Sequence, residues 1–234
     1  MNWLIIILAI ILVILAWYIY VIYTSAPTVA TNIDLSTTAL NITGDQIKSG
    51  TSPTYAIGCW IFVKNVNGIT GNVDIFDYVV DTTAATTTNL FALNLSSTGP
   101  TLSANIAMPN NTSQNITLST NLPVQTWVYV VVSVSSGYID SYINGKLVKS
   151  TPNTGIYQPA SYPANNKSGP TFISNNCPVI ITGLSRWNTP LDPQTVWNYY
   201  SQGNGNAMQQ MLGSSYHLDV VFKKDSDAHD WSIF

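Results

Sequence analysis

The chain has 234 residues, with 11 Asp, 7 Lys, a single Arg (Arg186) and no Glu, and a formal net charge of −3. Without Glu it holds no HExxH zinc protease, no closing Glu of an EF-hand loop and no Glu pair for glycoside hydrolysis. Its weak negative charge gives no electrostatic case for nucleic acid as a partner. Charged residues are only 8% of the chain, and 49 Ser plus Thr and 23 Asn take their place, a hydroxyl- and amide-rich composition that favours strands and turns over surface helices.

Residues 3–23, WLIIILAIILVILAWYIYVIY, contain no charge, no Gly and no Pro. As a helix this run is ~31 Å long, matching a hydrocarbon core of ~30 Å. Trp3 stands at one end and Trp17, Tyr18, Tyr20 and Tyr23 at the other, where amphipathic rings prefer the interface. A cleaved signal peptide would have a shorter apolar region behind a basic start. The expectation is therefore one uncleaved transmembrane helix that anchors the chain in a lipid membrane. The nearest basic residue is Lys48, so charge does not orient it.

Residues 24–54 read as a linker or a leading strand. Strands are then predicted at 55–63, 73–80, 91–95, 101–108, 116–120, 127–134, 138–145, 146–150, 177–187 and 216–222, from apolar runs and period-two alternation between turn signals. The run 127–134, WVYVVVSV, is apolar enough to be buried on both faces. Asn144-Gly145 supplies a tight hairpin turn. One helix is predicted in 191–203, with Asp192 as N-cap, Pro193 at the first position and Gly203 as the stop. The domains expected are thus a transmembrane helix (3–23), the linker (24–54), a β-sandwich (55–222) and a polar tail (223–234).

The segment LPVQTWVYVVVSVSSGYIDSYINGKLVKS (122–150) resembles a pattern of a Trp, an alternating apolar strand, a short turn, an aromatic strand and an Asn-Gly-Lys turn. ITGLSRWNTPLDPQTVWNYYSQG (181–203) resembles a late strand followed by a short helical turn, and an early strand carries Trp60. In this order they resemble the concanavalin A-like lectin/glucanase superfamily in its laminin-G-like form. The resemblance implies a mainly β fold: an antiparallel two-sheet jelly-roll sandwich, here preceded by the transmembrane helix. Its motif residues in this chain are Trp60, Trp127, Asn144, Gly145 and Trp187. Independently of the family, Trp60 and Trp127 read as core plugs.

No catalytic set stands out, and the chain is not expected to be an enzyme. Asp74 and Asp77 are three apart and would point to opposite faces of a regular strand. His217 and His229 have no metal-ligand spacing with the cysteines, and no cofactor or metal is expected, although Asp74, Asp77 and Asp81 are the loop acids to consider for calcium. Cys59 and Cys177 lie in separate predicted strands and are either bridged or two buried thiols. Sequons at Asn41, Asn94, Asn110, Asn111, Asn115 and Asn166 occur about as often as chance gives in a chain this rich in Asn, Ser and Thr.

An N-terminal anchor joined to such a jelly roll resembles membrane-anchored minor capsid proteins of large nucleocytoplasmic DNA viruses. That resemblance implies a structural protein of the virion, single-pass, between an inner membrane and the capsid shell, with major and minor capsid proteins as partners. The C-terminal Trp231 and Phe234 would then be a docking tail. The alternative is a membrane-displayed carbohydrate-binding or adhesion module, with glycans as partners and the 108–115 and 161–170 segments as loops to bind them.

Overall fold

The structure, a computed structural model, describes residues 3–24, 28–30, 32–38, 52–66, 71–81, 88–96, 99–109, 112–155, 157, 170–171, 177–204, 219–224 and 227–232. Helix α1 spans Trp3–Thr24, 22 residues with no acidic residue in its first turn and no basic residue in its last. Trp3, Trp17 and Tyr18 are all exposed, as are the aliphatic side chains of residues 6–16. Within α1 the side chains described are Trp3 and those of 6–18. Counted over the described residues, no helix is long and apolar enough to cross a membrane. The helical backbone is longer than that run. The structure thus gives an exposed apolar helix, not a demonstrated span, in place of the expected transmembrane segment. The side chains of Tyr20 and Tyr23 lie outside the described set.

The rest forms two antiparallel sheets among the described residues. The first has seven strands: β1 (Thr28–Ala30), β2 (Ile33–Asp34), β3 (Tyr55–Val63), β8 (Trp127–Val134), β9 (Tyr138–Ile143), β10 (Lys146–Pro152) and β12 (Val179–Trp187). Its order is β1-β12-β3-β8-β9-β10, with β2 also on β12. The second has five strands: β4 (Asn72–Asp81), β5 (Thr88–Ser96), β6 (Thr101–Met108), β7 (Thr112–Ser119) and β11 (Pro170–Thr171), in the order β11-β4-β5-β6-β7. The 24–54 segment therefore contributes strands to the first sheet.

The two sheets close on one core. Strand alternation sends Ile57, Cys59 and Ile61 of β3 and Val128, Val130 and Val132 of β8 inward. They meet Phe76, Phe91, Leu93, Ala104, Ile106 and Ile116 of the five-stranded sheet in the same buried cluster. Each fully buried aliphatic or aromatic side chain here contributes roughly 1.5–3 kcal/mol.

The outer face of the seven-stranded sheet is covered as well. Helix α2 (Pro193–Ser201) lies over it, capped by Asp192, whose carboxylate accepts from Thr195 N. Val196 of α2 is fully buried in a second cluster with Trp60, Tyr129, Val131 and Tyr142. Trp60 packs on Tyr129 at 5.1 Å and on Tyr200 of α2 at 5.6 Å between ring centroids. Trp187 packs on Tyr199 at 5.0 Å and its indole N–H donates to the Tyr199 hydroxyl at 3.2 Å. Trp127 is half-buried against Phe62 at 5.4 Å. Burial on both faces accounts for the unbroken apolar run of β8.

Asn144 and Gly145 have φ of 50° and 75°, the geometry of a two-residue hairpin turn. Asn144 Oδ1 accepts from Tyr129 N at 2.9 Å, tying the turn to β8. The turn also seats α2, because a Cβ on Gly145 would lie 2.8 Å from Trp197 Cε3 and 3.0 Å from Tyr200 Cδ1.

Two expectations at the C-terminus are corrected. Among the described residues β13 (Asp219–Lys224) pairs with no strand of the two sheets, and the segment expected as a polar tail contains a further strand. β14 (Asp227–Ser232) pairs with β13 as a separate antiparallel ribbon, each strand using the other for its backbone hydrogen bonds. Trp231 stands opposite Val220 within it, and His229 opposite Phe222. Phe234 and His217 lie outside the described residues.

Replacing Gly145 with Ala combines a left-handed backbone with a clash against two α2 rings. The expected loss is about 2–4 kcal/mol of stability, with red-shifted tryptophan emission as Trp60 and Trp197 lose cover. Denaturant unfolding followed by tryptophan fluorescence checks it; an unchanged midpoint would show that α2 does not depend on this turn.

Candidate ligand-binding face

The outer face of the five-stranded sheet carries polar side chains in two cross-strand rows. The register pairs Asp77 with Ala92, Ala92 with Asn105 and Asn105 with Asn115. It also pairs Asp74 with Asn94, Asn94 with Ser103 and Ser103 with Thr117. Directly paired residues share a face, so seven of these eight side chains carry a carboxylate, amide or hydroxyl and one is alanine; Asp77, Ala92 and Asn94 are buried, and the others are partly or fully exposed.

This corrects the expected placement of Asp74 and Asp77 on opposite faces. A β-bulge between Asp74 and Phe76 adds one residue to β4, which restores both aspartates to the same side. Their partners Asn94 and Ala92 are two apart on β5 and confirm it. One inserted residue has no compositional mark, so the spacing alone pointed the wrong way.

The amides are chained across the sheet. Asn94 Nδ2 donates to Asp74 Oδ1, Asn105 Nδ2 donates to Asn94 Oδ1 at 3.1 Å, and Asn115 Nδ2 donates to Asn105 Oδ1 at 2.6 Å. Each link uses one of the two hydrogens on a side-chain amide. The relay fixes the orientation of every amide from buried Asn94 to exposed Asn115. An oriented amide–hydroxyl surface of this kind suits a ligand rich in hydroxyls, to which it both donates and accepts. Asn94 is buried and bonded on both sides, which removes that sequon from use in the folded chain.

Asp77 differs from its neighbours. It is 5% exposed and its Oδ1 has no hydrogen-bond partner among the described residues. Burial raises its pKa to about 6, and the nearby charge of Asp74 adds to the rise. A raised carboxyl beside a second carboxylate is the pattern of glycoside hydrolysis. Here Asp77 is buried and Asp74 accepts a hydrogen bond from Asn94. Among the described residues no group of three or more His, Cys, Asp or Glu could hold a metal ion. The side chain of Asp81 is outside the described set.

Cys59 and Cys177 are both buried free thiols, so the bridge left open by the sequence is not formed. Burial pushes each thiol up to about 12. Of the 161–170 segment expected as a binding loop only Pro170, which opens β11, is described; residues 161–169, and Asn41, Asn110, Asn111 and Asn166, lie outside the described residues. Of the 108–115 segment, Met108 ends β6 and Asn115 belongs to the amide relay of β7.

A family model described as the concanavalin A-like lectin/glucanases superfamily, in its laminin G form, matches residues 36–200. The chain belongs to the concanavalin A-like lectin/glucanase superfamily. The matched region includes the Trp60, Trp127, Asn144-Gly145 and Trp187 positions, which gather around α2 as described above. No curated protein matches the chain in sequence.

Among solved structures, the superfamily fold of this chain is similar to the binding domain of botulinum neurotoxin DC in complex with rat synaptotagmin II, with TM-score 0.54 and 17% identity over 70% of this chain and 39% of that one. It is also similar to the botulinum neurotoxin serotype D ligand binding domain in complex with N-acetylneuraminic acid, with TM-score 0.57 and 14% identity over 74% of this chain and 42% of that one. The chain thus spans about two fifths of the length of these structures. At this identity the likeness is one of fold.

Two outcomes follow from the buried titratable groups. An Asp whose folded pKa lies above its unfolded value stabilises the fold only when protonated. For Asp77 that contribution is complete below pH ~4 and disappears as pH rises through about 6. The domain should therefore lose about 1–2 kcal/mol from this group between pH 4 and pH 7, after allowance for solvent screening. Asp77→Asn should flatten the dependence in thermal melts across that range. Separately, neither native thiol should react with a thiol reagent at pH 8 until denaturant unfolds the domain; fast labelling of the folded chain would contradict the burial.

Proposed function

We propose that this protein is a membrane-anchored binding module: α1 holds a concanavalin A-like domain at a lipid surface, and the outer face of the five-stranded sheet meets a hydroxyl-rich ligand, a glycan. The observation that carries the reading is the two-row grid of Asp, Asn, Ser and Thr with its oriented amide relay. Binding rather than turnover is favoured because the raised carboxyl of Asp77 is buried. The glycan and protein ligands carried by the botulinum neurotoxin domains lend support to a binding role on this fold, while fold by itself does not assign a ligand. Anchoring is supported by the exposure of α1 and its 22 uncharged residues, ~33 Å of helix.

A second reading keeps the module but changes its ligand to protein: a structural tether between an internal viral membrane and a capsid shell. It is favoured by the charge content of 8%, which leaves few ions to desolvate in an extended permanent contact. It is also favoured by β10, an exposed sheet edge carrying Leu147 and Val148. Such an edge accepts a further strand.

The full chain should stay with membranes through alkaline carbonate washing, and Leu12→Lys should release it, since a lysine at mid-helix costs about 2.5–3.5 kcal/mol. On a glycan array, Asn115→Ala and Thr117→Ala should each weaken binding several-fold without moving the melting temperature. No glycan bound, together with reproducible cross-links from Lys64, Lys146 or Lys149 to shell subunits in a particle fraction, would replace the glycan by the capsid partner.

A further inference from the structure

Strand register fixes which end of the sandwich α1 leads into. Thr28, the first residue of β1, pairs with Ser185. Ser185 pairs with Gly58, and Gly58 with Val131. Thr28 therefore lies on the row of Gly58, three residues from the Tyr55–Val134 end of the sheet and five from the Val63–Val179 end. From this row the chain runs away from the first end, because Ile33 pairs with Ile181 and Asp34 with Ile180. Only residues 25–27 separate α1 from β1.

We infer that the domain rests on the lipid surface through the pole formed by the Ser135–Tyr138 turn and the neighbouring 152–155 and 188–191 segments, leaving the opposite pole as its outermost surface. This rests on the reading of α1 as a membrane anchor. The four Cα steps from Thr24 to Thr28 reach at most ~14 Å. The near end of the sheet is ~10 Å from the Thr28 row, within that reach. The far end is ~17 Å away at ~3.3 Å per residue, before the 120–126 loop beyond it is counted. The far pole cannot be turned to the bilayer on so short a connection.

The chemistry of the near pole fits a headgroup layer. Residues 135–138, 152–155 and 188–191 (SSGY, PNTG and NTPL) contain no Asp, Lys or Arg, so these three segments bring no ion that would lose water on contact. Tyr138 is 58% exposed at the tip, a ring of the type that gathers at interfaces. The turn is rigid: Ser135 N donates to Tyr138 O at 2.9 Å, and Asn153 Nδ2 donates to Ser135 O at 2.6 Å. The far pole instead carries the Lys64–Asp34 ion pair at 2.5 Å and exposed Val124.

The test uses the full chain reconstituted in phosphatidylcholine vesicles containing a headgroup spin-labelled lipid. Ser136→Cys and Asn121→Cys, both exposed turn positions, each carry one thiol-linked fluorophore, the native thiols being buried. Quenching several-fold stronger at 136 than at 121 is the expected result. Equal quenching, or stronger quenching at 121, in vesicle-bound protein overturns the orientation while the anchor stands. Protein recovered free of the vesicles, with neither position quenched, overturns the anchor and the orientation with it.

Discussion

The bulge in β12 is the constraint on which both layers of the seven-stranded sheet depend. Val179 and Ile181 point into the sandwich, and strict alternation would send Trp187 there too. Between Thr182 and Ser185 the register shifts by one, at Gly183, whose φ of 62° suits glycine. After the shift Leu184 and Arg186 face inward and Trp187 faces out, where it packs at a tilt against Tyr199 of α2. Without that inserted residue α2 would lose one of its two tryptophan supports and the sandwich its only arginine.

Arg186 shows what the shift gains. It is 7% exposed, with its guanidinium 5.5 Å from the ring centre of Tyr55 in β3 and 5.6 Å from that of Tyr78 in β4. One cation thus bridges the two sheets through aromatic faces, and its NH1 donates to Asn188 Oδ1 at 2.8 Å. Desolvated cation–π contacts are worth up to about 2 kcal/mol each. They offset part of the cost of taking this charge out of water. A planar, weakly hydrated guanidinium suits this slot where an ammonium would not. A chain with so few charges has placed one where its geometry, rather than its hydration, matters.

The sequence was legible where side-chain pattern alone sets the structure. The runs 55–63, 101–108 and 127–134 match β3, β6 and β8 residue for residue, because apolar content and turn residues bound them on both sides. Asp192 and Pro193 marked the start of α2 for the same local reason. What escaped were the bulges. They change parity without changing composition, so the shared face of Asp74 and Asp77 and the inward turn of Arg186 required the register. The amide relay escaped too, since Asn94, Asn105 and Asn115 are spread over three strands. A chain with 23 Asn gives no hint which three will meet. The terminal ribbon escaped because DAHDWS has the polarity of a tail and none of the alternation that marks a strand.

The two faces of the molecule are consequently specialised by what covers them. The outer face of the seven-stranded sheet is spent on α2: aromatic residues from β3, β8, β9 and β12 meet Val196, Tyr199 and Tyr200. The outer face of the five-stranded sheet has no such helix among the described residues, and its side chains are correspondingly amide, hydroxyl and carboxylate. Buried Asn94 within that polar face is tolerated because the relay gives its amide both a donor and an acceptor role. Asp77 Oδ1 has no equivalent partner among the described residues, and burial, with the charge of Asp74 beside it, raises the Asp77 pKa. A surface that is internally hydrogen-bonded yet retains unused amide hydrogens loses little order when it exchanges water for ligand hydroxyls. On a sheet with so few charges long-range attraction contributes little, so the preorganised contact geometry would decide any recognition there.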